Sequence, residues 1–493
     1  LSLFPIDTEF GRKTQVHQYT CNKDYTCLEG DCPSFLRIIP GEKERPKIAT
    51  VNCDDPVNIK DESSIYLVGI GGTGVVTASQ VLATAAHLEN KKVVSLDQTG
   101  MSQKGGSVVS HVKIVNDSNC AVSIKSTSAD LYIAFDAITA SEAKHLQKLS
   151  KDSIAIVSSS HIPTGYSIRK PGDLPDLDNC YELIKSYANE STICRFDLWK
   201  ISEYVFDTNM MGNMIGLGIG YQKGGISVHS NSIMRAIELN GVKIEDNLLA
   251  FQIGRQLASD PSFIDTLDIS SNAMNLDPVE KTALQIRFEI PDEIADSLKL
   301  RVAELCDYQN EAYAEEFLKT VESVLEKDAK PYLLTKAVIQ YHFKLMAYKD
   351  EFEVARLHLK QEMDTEIIKR YGKGAKIKFV LHPPILKAIG LKNKINFGSW
   401  FRPFMGLLAN LKSIRNSPLN IFAYAEVRKE ERKLIDEYRS IIKIVLEKLS
   451  KENYDTALEL LSLPDLVRGY EDIKLKNIKK YRLETEKLLA KIN

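Results

Sequence analysis

The stretch from Ser64 to Thr77 constrains the fold of this chain more than any other part of the sequence. It begins with apolar and aromatic residues typical of a strand, breaks into glycines, and continues as an amphipathic run from Val75 to Leu88. The glycines of the turn are Gly69, Gly71, Gly72 and Gly74. A strand, a tight glycine turn and a helix in this order open a βαβ unit. The sequence therefore predicts an α/β domain organised around this turn.

Strand and helix patterns alternate through the domain that follows, which we place at residues 63–262. The predicted strands are 65–70, 92–96, 106–115, 131–134 and 153–158. This alternation predicts a Rossmann-like fold with a mainly parallel sheet covered by helices. Polar and apolar residues alternate in Ser107–Val115, which is the pattern of a half-exposed and possibly antiparallel strand.

The regions on either side of this domain differ from it in composition. Residues 1–47 read as strand, loop and strand with few apolar residues, so this segment cannot bury a core by itself and is expected to need a metal centre. Residues 48–62 are expected to be a linker rich in charge and proline. Long amphipathic segments predict a mostly α-helical domain at 275–493, with helices at 311–326, 333–346, 401–414 and 422–449.

Composition excludes several classes of protein. The net charge of −2 over 493 residues gives no support to bulk binding of nucleic acid or of an anionic membrane surface. No apolar run is long enough to span a bilayer, and the glycines spaced four apart at Gly212, Gly216 and Gly220 predict a helix-packing face instead. We expect a cytoplasmic protein. Because the chain begins without Met, we also expect it to be the C-terminal part of a longer polypeptide.

Three cysteines lie within twelve consecutive residues, which indicates a metal site rather than a disulfide framework. They are Cys21, Cys27 and Cys32, and Pro33 follows the last one as in bacterial ferredoxin sequences. Iron-sulfur ligation is the favoured interpretation, and a structural zinc site completed by His17 is the alternative. A [4Fe-4S] cluster needs four ligands, so the fourth is expected upstream of Leu1, with Cys53 a less favoured candidate. The remaining cysteines are expected to be buried thiols.

The glycine turn has two interpretations from its spacing alone. Gly69, Gly71 and Gly74 fit G-x-G-x-x-G, and Asp97 ends the next strand where a ribose-binding acid stands in NAD or FAD domains. The glycines can equally serve close packing of strand and helix. The polar loop after Asp97 favours a surface that meets a ligand or another domain. Its candidate contact residues are Gln98, Ser102, Gln103, Lys104, Gly105 and Gly106.

Other catalytic patterns are missing from the sequence. It has no Walker A lysine and no G-x-S-x-G elbow, which argues against a kinase and a hydrolase. His111, His161 and His382 are expected to be hydrogen-bonded structural residues. The basic run at 369–394 is expected to be a solvated face or a rim against an acidic partner, with an anion site as the alternative.

Several motifs together resemble the 2-oxoacid:ferredoxin oxidoreductase superfamily. The match is specifically to the C-terminal part of the fused indolepyruvate ferredoxin oxidoreductase type. The residues that carry it are the cysteine loop 21–35, the glycine loop 69–77, the loop 98–111, and the segments 235–241, 343–350 and 463–469. The resemblance identifies 1–47 as the end of a ferredoxin-like segment, 63–262 as a gamma domain and 275–493 as the family's helical domain.

The resemblance implies an oxidative decarboxylation of an aryl 2-oxoacid to an acyl-CoA. The cofactors it implies are a [4Fe-4S] cluster bound in part by Cys21, Cys27 and Cys32, thiamine diphosphate with magnesium in domains upstream or in a partner subunit, and coenzyme A as cosubstrate. Ferredoxin would accept the electrons, and a homo-oligomer is expected. This chain alone is expected to be inactive. The glycine loop and the 98–106 loop become candidate contacts to the thiamine domains.

Two further hypotheses stay open at this stage. One is a nucleotide-dependent oxidoreductase that binds NAD(P) or FAD through Gly69, Gly71, Gly74 and Asp97. The other is a non-catalytic docking subunit whose helical domain organises partner proteins.

Overall fold

The computed structural model divides the chain into two compact units. Unit 1 comprises Leu1–Ile6, Arg12–Lys23 and Arg45–Met274, and unit 2 comprises Asp7–Gly11, Asp24–Glu44 and Asn275–Asn493. The residues that the structure describes are 3–6, 8–11, 13–18, 21, 23–43, 45–46, 48, 53–57, 59–100, 106–162, 175–267, 286–382 and 393–492. The predicted domains 63–262 and 275–493 fall in units 1 and 2 respectively, and the predicted segment 1–47 contributes residues to both. Whether that segment is a domain of its own stays a prediction.

The strands of the described residues are numbered in chain order. They are β1 Leu3–Ile6, β2 Lys13–Val16, β3 Leu36–Ile39, β4 Ser63–Ile70, β5 Lys92–Thr99, β6 Ser107–Val115, β7 Leu131–Ala134, β8 Ile154–Ser158, β9 Ile193–Phe196, β10 Lys376–Leu381 and β11 Ile395–Phe397.

The α-helices are numbered in the same way. Unit 1 contains α1 Val75–Leu88, α2 Ala137–Ala140, α3 Ala143–Leu146, α4 Leu177–Tyr187, α5 Leu198–Phe206, α6 Gly212–Gln222, α7 Ser230–Asn240, α8 Ile244–Ser259 and α9 Phe263–Thr266. Unit 2 contains α10 Asp292–Tyr308, α11 Glu311–Leu325, α12 Leu333–Met346, α13 Glu351–Leu357, α14 Gln361–Tyr371, α15 Arg402–Asn410, α16 Glu426–Lys448, α17 Tyr454–Ser462 and α18 Glu471–Ile492.

A six-stranded sheet in the order β5-β6-β4-β7-β8-β9 forms the centre of unit 1. β4, β7, β8 and β9 pair in parallel, whereas β6 pairs antiparallel with both β4 and β5. Five of the six strands therefore run in one direction, with β6 as the exception. This confirms the predicted α/β class and mainly parallel sheet, and also the antiparallel character of Ser107–Val115. Parallel strands buried on both faces need apolar side chains on both, and all four residues of β7 are buried.

Two buried helices, α6 and α8, pack backbone to backbone in unit 1. A Cβ atom added to Gly218 would lie 2.1 Å from the carbonyl oxygen of Phe251, and one added to Gly254 would lie 2.1 Å from that of Ile215. Any side chain at either glycine would force the helices apart. The predicted packing face of Gly212, Gly216 and Gly220 is also closely covered, by side chains from α5 and the sheet.

Unit 2 is mainly helical, as the sequence predicts, and its largest apolar cluster is contributed by α10, α11, α12, α16, α17 and α18. Helix α12 has the bounds predicted for it, whereas α16 begins at Glu426 rather than at 422. The earlier residues form a short 3-10 turn capped by the Asn420 side chain, which accepts a hydrogen bond from the Phe422 amide. A three-stranded antiparallel sheet, β11-β10-β3, packs beside a smaller apolar cluster around Phe379 and Met405.

Within the part of the chain that the structure describes, no helix has both the length and the apolar character needed to cross a membrane.

Two buried histidines are expected to make stability depend on pH. Burial lowers the pKa of His145 in unit 1 to about 4 and that of His342 in unit 2 to about 3, with Arg439 contributing to the second shift. Because the unfolded imidazoles have a pKa near 6.5, protons bind preferentially to the unfolded chain as the pH falls through that value. The free energy of unfolding should therefore be constant above about pH 7 and fall below it, by at most about 1.4 kcal/mol per pH unit for each histidine.

Guanidinium denaturation between pH 7.5 and 4.5 measures this dependence. His342→Gln should reduce the fall in the free energy of unfolding below pH 7. His87→Gln, which changes an exposed histidine, should leave that fall unaltered. If the free energy of unfolding fell equally steeply with pH in the wild type and in His342→Gln, His342 would not be a source of the pH dependence.

Candidate functional site

The segment after Cys21 enters unit 2 as a turn followed by strand β3. Asp24 Oδ1 accepts hydrogen bonds from the backbone nitrogen and the hydroxyl of Thr26, which fixes the start of the 3-10 turn Thr26–Leu28. Leu36 to Ile39 then pair antiparallel with Phe379 to Lys376 of β10. Cys27 and Cys32 are therefore carried by a loop that the helical unit anchors at its C-terminal end.

Basic side chains of unit 2 surround the end of this loop. Lys394 Nζ donates a hydrogen bond to the Cys32 carbonyl oxygen at 2.6 Å and lies 5.3 Å from the centre of the Phe35 ring. Burial lowers the pKa of Lys394, while Cys32, Asp31 and Cys27 act in the opposite direction. His358 Nε2 donates to the Pro33 carbonyl oxygen at 3.0 Å, and burial lowers the pKa of that imidazole. The loop is thus held by its backbone carbonyls.

The side chain of Cys32 also faces polar groups of unit 2. The Tyr470 hydroxyl interacts with the side chains of Cys32 and Ser34, and burial together with Cys32 raises the pKa of Tyr470 to about 12. Burial lowers the pKa of Lys349, an effect that Cys32 and Glu353 oppose. Neighbouring cations stabilise thiolates, the form of cysteine that binds metals. A cavity of about 200 Å³, lined in part by Pro33, Lys349 and His358, adjoins the loop.

The three predicted cysteine ligands are divided between the two units. Cys21 belongs to unit 1, where its sulfur accepts a hydrogen bond from the Lys23 amide at 3.3 Å, whereas Cys27 and Cys32 belong to unit 2. In the ranges that the structure describes, no three His, Cys, Asp or Glu side chains form a group that could hold a metal ion. The thiols and the cations around them suit a metal-thiolate site in kind, but the number of ligands is incomplete. That the three cysteines bind one cluster stays a prediction.

His17, the zinc ligand of the alternative hypothesis, has other partners in unit 1. Its Nε2 lies 3.3 Å from Glu203 Oε1, and its ring stacks on Trp199 with the ring centres 5.8 Å apart. These contacts suit a structural histidine. They give the zinc hypothesis no support.

Groups of the chain itself fill much of the glycine turn between β4 and α1. The Gly71 amide donates to the Gly106 carbonyl oxygen at 2.8 Å, so this N–H is not available to a phosphate. The Asn213 Nδ2 atom donates to the Gly74 carbonyl oxygen at 3.3 Å and would lie 2.4 Å from a Cβ at Gly74. At Gly72, where φ is 100°, an added Cβ would meet open space. This side of the turn is open to another molecule.

Asp97 lies farther from the glycine turn than the ribose-binding acid of a dinucleotide site does, because a strand separates the two. Its strand, β5, is separated from β4 by the antiparallel β6, and its carboxylate accepts a hydrogen bond from the Ser110 hydroxyl of β6. Neighbouring strands lie about 4.8 Å apart, so Asp97 is about 10 Å from the line of β4 rather than on the adjacent strand.

The loop candidates after Asp97 are only partly described. Gln98 lies in the edge strand β5, and Gly106 accepts the hydrogen bond from Gly71. Ser102, Gln103, Lys104 and Gly105 lie outside the described residues. His111, expected to be structural, accepts a hydrogen bond from the Ile124 amide through Nδ1 at 3.0 Å. The side chain of His161 is exposed, although partial burial of its ring lowers its pKa.

Comparisons with known proteins identify the family to which the chain belongs. The model of the pyruvate ferredoxin/flavodoxin oxidoreductase family matches residues 64–257. The indolepyruvate oxidoreductase subunit IorB of Methanothermobacter thermautotrophicus is 30% identical over 193 residues, which are 39% of this chain and 95% of that relative. This chain belongs to the 2-oxoacid:ferredoxin oxidoreductase superfamily. The recognition made from its motifs is confirmed, and the chain is part of an oxidoreductase.

Further proteins are similar to the same part of the chain. The IorB subunit of Pyrococcus horikoshii is 24% identical, with 40% of this chain and 97% of the relative aligned. Among solved structures, the gamma subunit of a keto/oxoacid ferredoxin oxidoreductase from Geobacter sulfurreducens is 18% identical, covers 40% of this chain and 98% of its own, and has a TM-score of 0.29. Pyruvate oxidoreductase subunit PORC from Thermotoga maritima is 20% identical over 41% and 97% of the two chains, with a TM-score of 0.30.

A second family model covers most of the helical region. It describes a family of unknown function, DUF6537, and matches residues 294–487. Lys349, His358, Lys394 and Tyr470, which surround the cysteine loop, all lie in this region. Sequence reasoning did not connect them to the cysteines, because more than 300 residues separate the two in the chain. Only Lys394 carried a signal, as the end of the basic run expected to form a rim.

Proposed function

We propose that this chain is the part of an indolepyruvate:ferredoxin oxidoreductase that contains the gamma domain and a portion of the electron-transfer site. One observation carries the proposal: a domain related to IorB over 95% of its length shares its chain with a cysteine loop held among cationic side chains. Cys21, Cys27 and Cys32 would supply thiolate ligands to a [4Fe-4S] cluster, completed by donors outside the described residues. Lys394 and His358 would fix the loop through its carbonyl oxygens.

The decarboxylation chemistry would come from other parts of the assembly. Thiamine diphosphate with magnesium, bound by domains upstream or by a partner subunit, would supply the cleavage of an aryl 2-oxoacid, with coenzyme A as acyl acceptor. The open side of the glycine turn at Gly72 and the segment from Gln98 to Gly106 would contact those domains. Ferredoxin would receive the electrons.

The dinucleotide alternative has less support from the geometry. The Gly71 amide is already hydrogen-bonded to Gly106, and β6 separates Asp97 from the glycine turn. An NAD or FAD site uses both the free amides and an acid on the adjacent strand. We therefore propose an architectural role for Gly69, Gly71 and Gly74.

The proposal predicts that cluster loading and electron transfer depend on Cys32. In the assembly of this chain with its thiamine-binding partner, prepared without oxygen, Cys32→Ser should lose most of its iron and visible absorbance. CoA-dependent oxidation of indolepyruvate coupled to ferredoxin reduction should fall about 10-fold or more. Serine preserves the size of the side chain but not the soft thiolate that iron-sulfur clusters require.

Cys120→Ser is the matched control, because Cys120 is expected to be a thiol without a ligand role. It should keep the iron content and activity of the wild type. A colourless protein that contains zinc, or equal iron in both variants, would contradict the cluster assignment. Full activity of the partner without this chain would contradict the proposed function as a whole.

A further inference from the structure

A cavity of about 250 Å³ in unit 2 is not used by the proposed function. It shares no lining residue with the cavity beside the cysteine loop. Three arginines, Arg415, Arg432 and Arg439, line it together with the aromatic side chains of Tyr313 and Tyr348. All of them fall in the region that matches a family of unknown function. Three guanidinium groups around one small cavity point to an anionic occupant.

Arg415 is the best-fixed of the three. Its side chain is 3% exposed, and its guanidinium lies 3.7 Å from the centre of the Tyr308 ring. It forms an ion pair with Asp350 and donates to the Oε1 atom of Gln309 at 2.8 Å. One lone pair of the Gln309 oxygen is used in this way, and the NH₂ group of Gln309 adds a donor to the lining.

Hydrogen-bond donors also dominate the rest of the lining. Arg432 donates to the Ala423 carbonyl oxygen at 2.7 Å and, among the described residues, has no carboxylate within ion-pair distance. The Tyr348 hydroxyl likewise has no hydrogen-bond partner in the part of the chain that the structure describes. Asp436 is the single carboxylate in the lining. Three arginines and one aspartate give the lining a formal charge of +2, and Asp350 and Glu316, which pair with Arg415 and Arg439, reduce it to zero. The preference for an anion therefore rests on the hydrogen-bond donors of Arg432 and Tyr348, which no described carboxylate engages.

The size of the cavity limits the ligand. A volume of 250 Å³ corresponds to about eight water molecules at roughly 30 Å³ each. Small-molecule pockets for larger ligands have volumes of about 300–1,000 Å³. Arginine forks bind phosphoryl and carboxylate groups through paired N–H donors. A phosphate, a diphosphate or a short dicarboxylate fits these limits, whereas a nucleotide does not.

We propose that this cavity is a binding site for a small oxyanion, either a phosphoryl group or a short di-acid. Arg432 and the Tyr348 hydroxyl supply hydrogen-bond donors to the oxyanion. Arg415, which its ion pair with Asp350 holds in place, adds a guanidinium group to the lining. The site belongs to the helical unit and stands apart from the chemistry proposed for the gamma domain and the cysteine loop.

Calorimetric titration of the full chain tests the proposal with phosphate, pyrophosphate and malonate, each at an ionic strength matched with KCl. At least one of these ions should bind, and the comparison of the phosphates with malonate identifies the group that the site prefers. Arg432→Gln should weaken binding about 10-fold or more, as expected for a lost charge-assisted hydrogen bond. Asp436→Asn should strengthen binding, since it removes the carboxylate that opposes an anion.

Arg468→Gln is the matched control, because it removes an arginine charge from unit 2 outside the cavity. It should leave the affinity unchanged. Tyr348→Phe, which removes one hydroxyl and preserves the ring, provides a second variant if Arg432→Gln is poorly folded, and it should also weaken binding. Absence of binding by all three ions, or equal loss in Arg432→Gln and Arg468→Gln, would overturn the proposal.

Discussion

Replacing Gly254 with alanine is expected to destabilise unit 1 by about 3 kcal/mol or more. The added Cβ would lie 2.1 Å from the Ile215 carbonyl oxygen and 3.0 Å from the Gly218 Cα atom. Both neighbours are backbone atoms of α6, so no side-chain rotation can relieve the clash. The helices would have to separate, and the buried apolar side chains between α6, α8 and the sheet would lose contacts.

Guanidinium denaturation monitored by tryptophan fluorescence, with Trp199 buried in unit 1, and by circular dichroism, which reports on the helices of both units, measures the effect. Gly406→Ala is the control for a glycine-to-alanine change inside a helix, because an added Cβ at Gly406 meets no atom within 4 Å. It should stabilise unit 2 slightly, by about 0.5–1 kcal/mol. If Gly254→Ala behaved like Gly406→Ala, the close contact between α6 and α8 would be wrong.

The packing of these helices shows where sequence reasoning succeeds and where it stops. Gly212, Gly216 and Gly220 repeat every four residues, so their shared helix face could be read directly. Gly254 is a single glycine in an otherwise ordinary amphipathic helix, and its partner Gly218 lies outside the repeat. A contact between Gly218 and the single glycine of another helix becomes visible only when the crossing of the helices is known.

The strands of unit 1 were predictable for a similar reason. β4 and β7 are apolar on both faces, so their apolar runs identified them as strands. The alternation in β6 predicted a half-exposed and possibly antiparallel strand; the antiparallel direction is confirmed, but the half-exposed character is wrong, because Val108 to Val112 are all buried. β9 was missed, since Ile193–Phe196 has four residues with an arginine among them. Such a short edge strand carries little apolar signal.

The site could be predicted only in part. The cysteines were recognisable from their spacing, but the side chains around them depend on the pairing of β3 with β10, which lie more than 300 residues apart. Asn213, which closes the glycine turn at Gly74, is a lone polar residue in the buried helix α6. A buried asparagine needs hydrogen-bond partners, and this requirement was the sequence-based indication that Asn213 contacts another part of the backbone.

Replacing Asp350 with alanine is expected to cost unit 2 about 3–5 kcal/mol, because it leaves the buried Arg415 without its counter-ion. Asp350 Oδ2 accepts from Arg415 Nε at 2.6 Å, and the two side chains are 4% and 3% exposed. Asp350 Oδ1 also accepts from the Glu353 amide at 2.9 Å and so caps α13. Alanine removes the charge and the cap together.

Two further variants separate these contributions. Asp350→Asn retains an oxygen for the cap while losing the charge, so it should cost less than alanine. Arg415→Met should be strongly destabilising on its own, since it leaves Asp350 buried and unpaired. The double variant Asp350→Asn, Arg415→Met should cost less than the sum of the two single changes, because it leaves no isolated charge in the interior.

Circular dichroism during guanidinium denaturation measures these differences through the helices of unit 2. Strict additivity of the two single changes would show that Asp350 and Arg415 do not form a coupled ion pair. A coupling energy of about 1 kcal/mol or more would support the pair as the element that fixes Arg415 beneath the proposed anion site. On that result, Asp350→Asn should also alter oxyanion binding, because the guanidinium would lose the partner that holds its orientation.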